Sequence, residues 1–457
     1  MTYSTWLSLA VIAALLLTAC GENSSSGGIS LATACASHDG EGLNRQAIAL
    51  SSSASPDNAC MELHQYNLFA PNPDEGFERG DPRRPLVVDG EYQGLPYGLN
   101  TALFSDYTVK HRIVFLPKDD SGNFIPATYR DAGSSPDGEP GTGDLDHAND
   151  NFLFPVGTVI AKTFTYPDTS ALGEPVERLI ETRLLIKHRN TDDGSASWEG
   201  VAYIWEQDEL TGEWIARRQN LGGWFSEARQ WHYPDPNDPG LTVAGQADEG
   251  EHPYIIPSRN DCRVCHVNPD QDAGTAPIGL KARHLNRPYA SEFAEFTNDP
   301  ADLVNNNQID YWAAQGWLID VEPQAYTLDN TTGVITDIER IQPYNLPGDG
   351  DNIEADLDAR ARGYLEANCV HCHNQARGGT KGFYMEFQRP LCSGNLIGMN
   401  NINPGNDDNP GGLHSRISAP GSEYFAMPRI GREQIHAEGV ALIRQWIVNM
   451  DPGICDH

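Results

Sequence analysis

Two segments of the chain share the spacing Cys-x-x-Cys-His, at residues 262–266 and 369–373. Two thiols at this spacing can add to the two vinyl groups of haem, and the adjacent histidine then lies under the ring and donates a nitrogen to the iron. We therefore predict two covalently bound c-type haem groups. The predicted haem-binding residues are Cys262, Cys265, His266, Cys369, Cys372 and His373.

The second pentapeptide lies in a segment with a known order of elements. A predicted helix over 356–367 leads into the pentapeptide at 369–373, and Met427 precedes a second predicted helix over 432–450. Helix, Cys-x-x-Cys-His, long loop, Met-Pro and helix is the order of class I cytochrome c domains. Residues 346–457 resemble such a domain throughout.

The sixth iron ligand determines what each haem can do. Met427 is the preferred partner of His373, because His/Met ligation raises the reduction potential and suits electron transfer. Met385 and Met399, in the loop after the pentapeptide, are the other methionine candidates, and Met450 is interpreted as a core residue.

The first haem has no methionine candidate nearby in the sequence. His284 is the nearest later histidine after His266, while His232 and His252 lie upstream. A remote histidine, a methionine from elsewhere in the chain and an open iron site stay as alternatives to His284.

The N-terminus resembles an export signal. Residues 7–19 form an apolar run that is too short to span a bilayer but suits a signal peptide. It ends in 17–20, Leu-Thr-Ala-Cys, which resembles a bacterial lipobox and implies lipidation of Cys20. Residues 1–6 lack the usual positive charge, so secretion with a later cleavage and an uncleaved anchor are alternatives. Gly21 favours the outer membrane, as a periplasmic or cell-surface lipoprotein.

Cysteine usage agrees with export. Of nine cysteines, one lies in the lipobox and four in the pentapeptides. The remaining four are Cys35, Cys60, Cys392 and Cys455. An oxidising compartment favours two disulfides, and we prefer the near pairs Cys35–Cys60 and Cys392–Cys455, with free buried thiols as the alternative.

Zinc is the main alternative occupant of the pentapeptides, because paired Cys-x-x-Cys motifs also form structural zinc sites. The two pairs are far apart in the chain, and each is followed directly by histidine. Two such pentapeptides in one exported chain favour haem.

The predicted architecture is multidomain, with an N-terminal all-β, sandwich-like domain followed by mainly α cytochrome c-type haem domains. Residues 1–20 are a lipoprotein signal peptide and 21–60 a flexible tether, rich in Ser, Gly and Ala. The β domain covers 61–255, the first haem-binding segment 256–345, and the cytochrome c-like domain 346–457.

Residues 61–255 contain several runs with strand character. The predicted strands are 108–116, 156–166, 176–189, 198–205 and 214–217, with a turn at 192–194 and a hairpin at 211–212. The acidic, Gly-rich stretch 131–150 is a predicted surface loop. Calcium binding there is a weaker expectation, because no EF-hand spacing is present.

Several stretches of the chain resemble a family of bacterial diheme c-type cytochromes, from about residue 60 to the C-terminus. They are 99–107, 154–158, 162–164, 180–184, 277–283, 307–308 with Trp312, and 364–373. Family members often carry an Arg-Met pair upstream of Met-Pro, where this chain has Arg416-Ile417, so the resemblance favours Met427 as a ligand. Cys392 and Cys455 also match family positions, which implies their pairing. The family implies electron transfer but supplies no substrate.

Three classes of function are consistent with the sequence. The leading hypothesis is electron transfer between this chain and other redox proteins, and the first alternative is a diheme peroxidase-like oxidoreductase with an open first haem. The second alternative is a binding module using the aromatic residues Trp198, Trp205, Trp214, Trp224 and Trp231, although core packing explains them more simply.

The strong negative charge bears on the partners of the chain. The net charge of −33 argues against a nucleic-acid partner, which would require clustered Lys and Arg. The acidic surface is interpreted mainly as a solvated surface, and alternatively as a means of steering a basic redox partner.

Overall fold

The computed structural model describes the chain in separate stretches. They are 30–36, 42–51, 59–129, 152–169, 175–189, 196–219, 223–225, 229–235, 238–247, 254–266, 277–289, 307–320, 328–329, 334–335, 340–344, 353–374, 383–387, 389–392, 396–397 and 401–455. The signal segment with Cys20, the turn at 192–194, the acidic loop 131–150 and Met399 lie outside the described residues, so lipidation and calcium binding stay predictions.

Eight α-helices are found among the described residues. They are α1 Leu31–Ala36, α2 Arg45–Leu50, α3 Arg259–His266, α4 Ala282–Leu285, α5 Gln308–Ala314, α6 Ile353–Asn368, α7 Gly412–Ile417 and α8 Ala437–Asn449, with 3-10 helices at Leu63–Tyr66 and Pro73–Glu75. None of the helices in this part of the chain is long and apolar enough to cross a membrane.

The predicted β domain is confirmed as a region built on one large sheet. Its strands and those of the small sheets are β1 Val87–Val88, β2 Glu91–Tyr92, β3 Leu95–Pro96, β4 Val109–Phe115, β5 Ala127–Thr128, β6 Val159–Thr169, β7 Pro175–Arg189, β8 Ala196–Gln207, β9 Trp214–Gln219, β10 Gly223–Phe225, β11 Arg229–Asp235, β12 Asp238–Ala247, β13 Tyr254–Ile256, β14 Leu318–Ile319, β15 Leu328–Asp329 and β16 Val334–Ile335. The large sheet has the order β3-β4-β6-β7-β8-β9, with antiparallel neighbours throughout.

Both faces of the large sheet carry apolar residues that pack into a core. On β4, Ile113 and Phe115 point to the core that contains α1 and α2, whereas Val114 points to a core shared with Leu285 and Trp312. This alternation follows from the two-residue period of a strand. The layers over the sheet in the described residues are helices, loops and two-stranded sheets, so a second large sheet, as in a sandwich, is not among them.

The predicted tether 21–60 is wrong for its C-terminal part, because α1 and α2 belong to the core. Ala34 and Ile48 are each 2% exposed and pack with residues of the sheet. The Asn44 side chain caps α2 by accepting a hydrogen bond from the Ala47 amide at 3.0 Å. The Cys35–Cys60 disulfide ties the segment to the start of the β domain.

The boundary predicted at residue 255 does not separate two cores. Residues of α4 and α5 share a hydrophobic core with the sheet, and β14 pairs in parallel with β5. The Gln308 side chain accepts a hydrogen bond from the Gly98 amide at 2.8 Å and donates one to the Gly98 carbonyl at 3.1 Å. The first haem-binding segment is therefore part of the packing of the β domain.

The C-terminal helices α6 and α8 cross at close range. A Cβ atom on Gly439 would lie 2.3 Å from the Tyr364 hydroxyl, so only glycine allows this approach. The Trp446 indole donates a hydrogen bond of 2.8 Å to Asp358 across the pair. This crossing fixes the direction in which α6 leads into the second pentapeptide.

Residues 99–107, which we call the bridging segment, join the sheet to the C-terminal region. The Asp106 carboxylate accepts hydrogen bonds of 2.7 Å from the amides of both Glu433 and Gln434. The Phe104 amide donates one of 2.8 Å to Asn368, the residue directly before Cys369. The bridging segment therefore sets the position of the second pentapeptide relative to the sheet.

His436 lies beside the bridging segment, and its burial predicts that the stability of the fold depends on pH. Its ring stacks on Phe104 with centroids 4.1 Å apart and lies 3.1 Å from the Tyr364 hydroxyl. Burial, and then the charges of Lys110 and Arg432, lower the pKa of His436 to about 3. Its pKa in the unfolded chain is about 6.5, so the unfolded chain binds more protons below that value. The stability that neutral His436 contributes is present above pH 6.5 and is lost as the pH falls towards 3.

We expect His436→Phe, which keeps an aromatic ring on Phe104 and does not titrate, to lose less stability on acidification. The difference between the two slopes should reach about 1.4 kcal/mol per pH unit. Chemical denaturation of both proteins between pH 7 and 4 measures it. Other buried histidines contribute equally to both, so parallel slopes would contradict the assignment.

Candidate functional site

The first pentapeptide lies on α3, and the start of this helix is held by reciprocal capping. The Ser258 hydroxyl accepts a hydrogen bond of 3.3 Å from the Asp261 amide, while the Asp261 carboxylate accepts one of 2.9 Å from the Ser258 amide. Such a capping box satisfies amides that have no partner within the helix. Cys262 therefore lies in the first turn of an anchored helix, with its amide 3.1 Å from the Ser258 carbonyl oxygen.

Helix α3 lies directly on β8. A Cβ atom on Gly200 would be 3.6 Å from the Cys262 Cβ and 3.7 Å from its sulfur, which is ordinary van der Waals contact. Arg263 pairs with Glu199 at 3.4 Å. The Cys262 side chain thus packs against β8 at Gly200.

The second pentapeptide continues the last turn of α6. The amides of Cys369 and His373 donate hydrogen bonds to the carbonyls of Leu365 and Cys369, at 2.8 and 2.9 Å. The His373 ring meets Phe383 edge to face, with centroids 5.2 Å apart. Burial lowers the pKa of His373, which favours the neutral imidazole that an iron ligand must be.

The two pentapeptides lie against each other. The Cys372 sulfur is 3.9 Å from the Val264 carbonyl oxygen. The sulfurs of Cys265 and Cys372 and a ring nitrogen of His371 all lie within 4.8 Å of one another. Residues more than one hundred positions apart in the sequence therefore form a single site, which the sequence did not predict.

The eight described cysteines fall into two chemical groups. Disulfides join Cys35 to Cys60 and Cys392 to Cys455, which are the pairs preferred from the sequence. The four cysteines of the pentapeptides form no disulfide. Burial raises the pKa of Cys262 and raises that of Cys369 to about 12, so both thiols are protonated near neutral pH.

Met427 lies in the loop between α7 and α8, half-buried. Its amide donates a hydrogen bond of 3.0 Å to the Arg416 carbonyl oxygen. The Arg416 side chain is near enough to His373 for its charge to add to the effect of burial on the pKa of that ring. The other described methionines, Met385 and Met450, are buried in the hydrophobic core around α6 and α8.

His284 lies on α4 and is 2% exposed. Burial lowers its pKa to about 3, against a smaller opposing effect of Glu366. Its Nδ1 atom has no hydrogen-bond partner among the described residues. A neutral imidazole with an unused nitrogen has the chemistry of an iron ligand, but the charged groups that act on it are Glu366, Lys281, Arg283 and Arg112. The structure thus places His284 beside α6, and its ligation of the first iron stays a prediction.

A buried ion pair holds α4 and α6 together beside the second pentapeptide. Lys281 contacts Glu366 at 2.6 Å, and Arg283 lies 4.0 Å from the same carboxylate oxygen. The Glu366 side chain is 1% exposed. Burial alone would raise the pKa of Glu366, but the charges of Lys281 and Arg283 outweigh burial and lower it well below its usual value.

Three features near the site were missed from the sequence. The role of the bridging segment and the Lys281–Glu366 pair depend on long-range contacts, for which the local sequence has no signal. A row of cations on the sheet, Arg112, Lys162 and Arg183, had a partial signal, because Lys110 and Arg112 are two positions apart in a predicted strand and therefore share one face.

The aromatic residues considered for a binding surface are largely packed inside. Trp198 and Trp205 are 4% and 7% exposed, and Trp214 stacks on Phe77 with centroids 6.2 Å apart. The side chains of Trp224 and Trp231 lie outside the described residues. Core packing explains the three described tryptophans.

Comparison of the chain with family models, with curated proteins and with solved structures finds no match in any of the three.

We expect Glu366→Gln to destabilise the fold, because it leaves Lys281 buried without its anion. Breaking a buried pair from one side costs about 3–5 kcal/mol. Chemical denaturation at neutral pH measures the loss. Glu206→Gln is the matched control, since Glu206 and its partner Arg217 are 61% and 51% exposed and such pairs contribute about 0–1 kcal/mol. Equal effects of the two variants would show that the Lys281–Glu366 pair is not structural.

Proposed function

We propose that this chain is an exported electron-transfer protein of the diheme c-type cytochrome family, with haem bound covalently at residues 262–266 and 369–373. The observation that carries the proposal is the contact between the two pentapeptides, with the Cys372 sulfur 3.9 Å from the Val264 carbonyl oxygen. Two redox groups attached at sites in contact would be well placed to exchange electrons with each other.

The chemistry of the donor set fits two haem groups. Each pentapeptide offers two cysteines that form no disulfide and a histidine directly after the second of them, while the other four described cysteines are oxidised to disulfides. Addition of a thiol to a vinyl group forms one C–S bond and one C–H bond, so attachment needs reduced thiols and no oxidant. Bound haem supplies a one-electron couple between ferric and ferrous iron.

The residues of the chain have distinct roles in this proposal. His266 and His373 would each bind one iron, and Met427 would be a second protein ligand of the iron at His373. The crossing of α6 and α8 at Gly439 supports a class I cytochrome c arrangement for residues 346–457. His284 is the proposed second ligand at His266, and an open iron there would instead suit peroxidase-like chemistry.

A zinc site is the second candidate, favoured by one observation. The sulfurs of Cys265 and Cys372 and a nitrogen of His371 already lie within 4.8 Å of one another, which suits a thiolate- and imidazole-bound metal. Such a site would use one thiol of each pentapeptide and leave Cys262 and Cys369 without a role. Haem uses all four.

The disulfides and the lipobox-like residues 17–20 support an exported protein, and we propose a lipid anchor at Cys20 with periplasmic or cell-surface location, at the outer membrane. The partners are then other redox proteins and, through the anchor, the membrane.

We expect two haem groups per chain by pyridine haemochrome assay of protein matured in an exporting host. Replacing Cys262 and Cys265 by alanine should remove one haem, and replacing Cys369 and Cys372 should remove the other. Replacing Cys35 and Cys60, which form a disulfide, should leave both haem groups in place. Stoichiometric zinc without haem in the same preparation would establish the zinc site instead.

We expect Met427→Ala to abolish the spectral signature of one Met-ligated low-spin haem and to lower the potential of that haem, because a thioether ligand raises it. Met385→Ala is the matched control and should leave the signature intact. An optical spectrum in both oxidation states measures the effect, and an unchanged spectrum would refute the ligand. A high-spin haem with peroxide turnover in the wild type would favour the peroxidase-like alternative.

A further inference from the structure

A row of three cations crosses the large sheet on the face that carries the first pentapeptide. Arg112 on β4 lies directly opposite Lys162 on β6, and Lys162 lies directly opposite Arg183 on β7. Like charges at opposed positions of neighbouring strands destabilise a sheet. We call Arg112, Lys162 and Arg183 the cationic row.

Only one end of the cationic row is neutralised among the described residues. Arg183 donates hydrogen bonds to both carboxylate oxygens of Glu181, which also accepts one from Tyr254 at 2.8 Å. Arg112 and Lys162 have no carboxylate within ion-pair distance in the described stretches. Arg112 is 8% exposed, and its Nε atom has no hydrogen-bond partner there.

The row lies within the protein, and part of it is open to solvent. Burial, and then the charges of Arg112 and Arg183, lower the pKa of Lys162 to about 7, yet Lys162 is only half-buried and the Arg183 side chain is 23% exposed. The buried ring of Phe164 lies on the same face beside the row, with Lys110 5.6 Å, Lys162 5.8 Å and Arg183 4.2 Å from its centroid.

The row begins beside the first pentapeptide and runs away from it. Cys262 rests on β8, which is the neighbour of β7, and its sulfur is near enough to affect the pKa of both Arg183 and Lys162. Arg112 lies three strands from β8, or about 14 Å at about 4.8 Å per strand. In haem, the two propionate groups leave the ring on the edge opposite to the vinyl groups.

We propose that Arg112 and Lys162 bind the propionate carboxylates of the haem attached at Cys262 and Cys265. The proposal rests on the proposed function, because it needs haem at the first pentapeptide. The anionic propionates supply the charge that the cationic row lacks, and charge-assisted hydrogen bonds from Lys and Arg to carboxylates are the strong kind. The sheet is then part of the haem site as well as its support.

The test measures the midpoint potentials of both haem groups over a range of pH in the wild type, Lys162→Met and Arg112→Gln. Loss of a nearby positive charge disfavours electron uptake, so the first haem should shift to lower potential in each variant. The pKa of the propionates should rise when the cations are lost, which gives that potential a stronger pH dependence. The second haem is recognised by its Met-ligated signature and should not shift.

Two further variants keep the result decisive. Lys162→Arg retains the charge and should keep the wild-type potential of the first haem. This comparison with Lys162→Met tests the row even if Arg112→Gln does not fold. Lys118→Met removes a lysine that pairs with Glu91 outside the row and should change neither potential. Unchanged potentials in Lys162→Met with both haem groups present, or a shift confined to the second haem, would overturn the inference. Wild-type protein without haem would instead refute the proposed function.

Discussion

The buried carboxylate of Glu366 is the interaction on which the arrangement of the two pentapeptides depends. It lies one turn before Cys369 on α6 and is held by Lys281 at 2.6 Å, at the start of α4. Because α4 packs into the core of the large sheet, this pair fastens α6 to the same framework that supports α3. The bridging segment repeats the connection through Asp106 and the amides after residue 432. Both pentapeptides are thus held in position by the same sheet.

Local patterns predict much of the fold, whereas the site is assembled by distant contacts. The strands β4, β6, β7, β8 and β9 follow predicted runs, because alternation is a local property of the chain. The pentapeptides are equally local. Their meeting depends on pairs such as Phe104 with Asn368, which have no sequence signal. The tether prediction fails for α1 and α2 because small residues that suit a linker also suit close packing in a core.

The charge around one face of the large sheet and α4 is locally opposite to that of the whole chain. The net charge is −33, yet Arg112, Lys162, Arg283 and Lys281 are gathered around the sheet and α4. Within the described residues their buried acidic partners are few, chiefly Glu181 and Glu366. This local excess of cations around the sheet and α4 favours an anionic group bound there.

The packing of α1 into the core has a consequence for how far the protein can move from a membrane. A tether of 21–60 would allow wide excursions, but α1, which begins at Leu31, already packs into the core. The eleven steps from Cys20 to Leu31, at most about 3.6 Å each, span no more than about 40 Å. If Cys20 carries the proposed lipid anchor, α1 stays within that distance of the bilayer, and partners would be met by lateral diffusion along that surface.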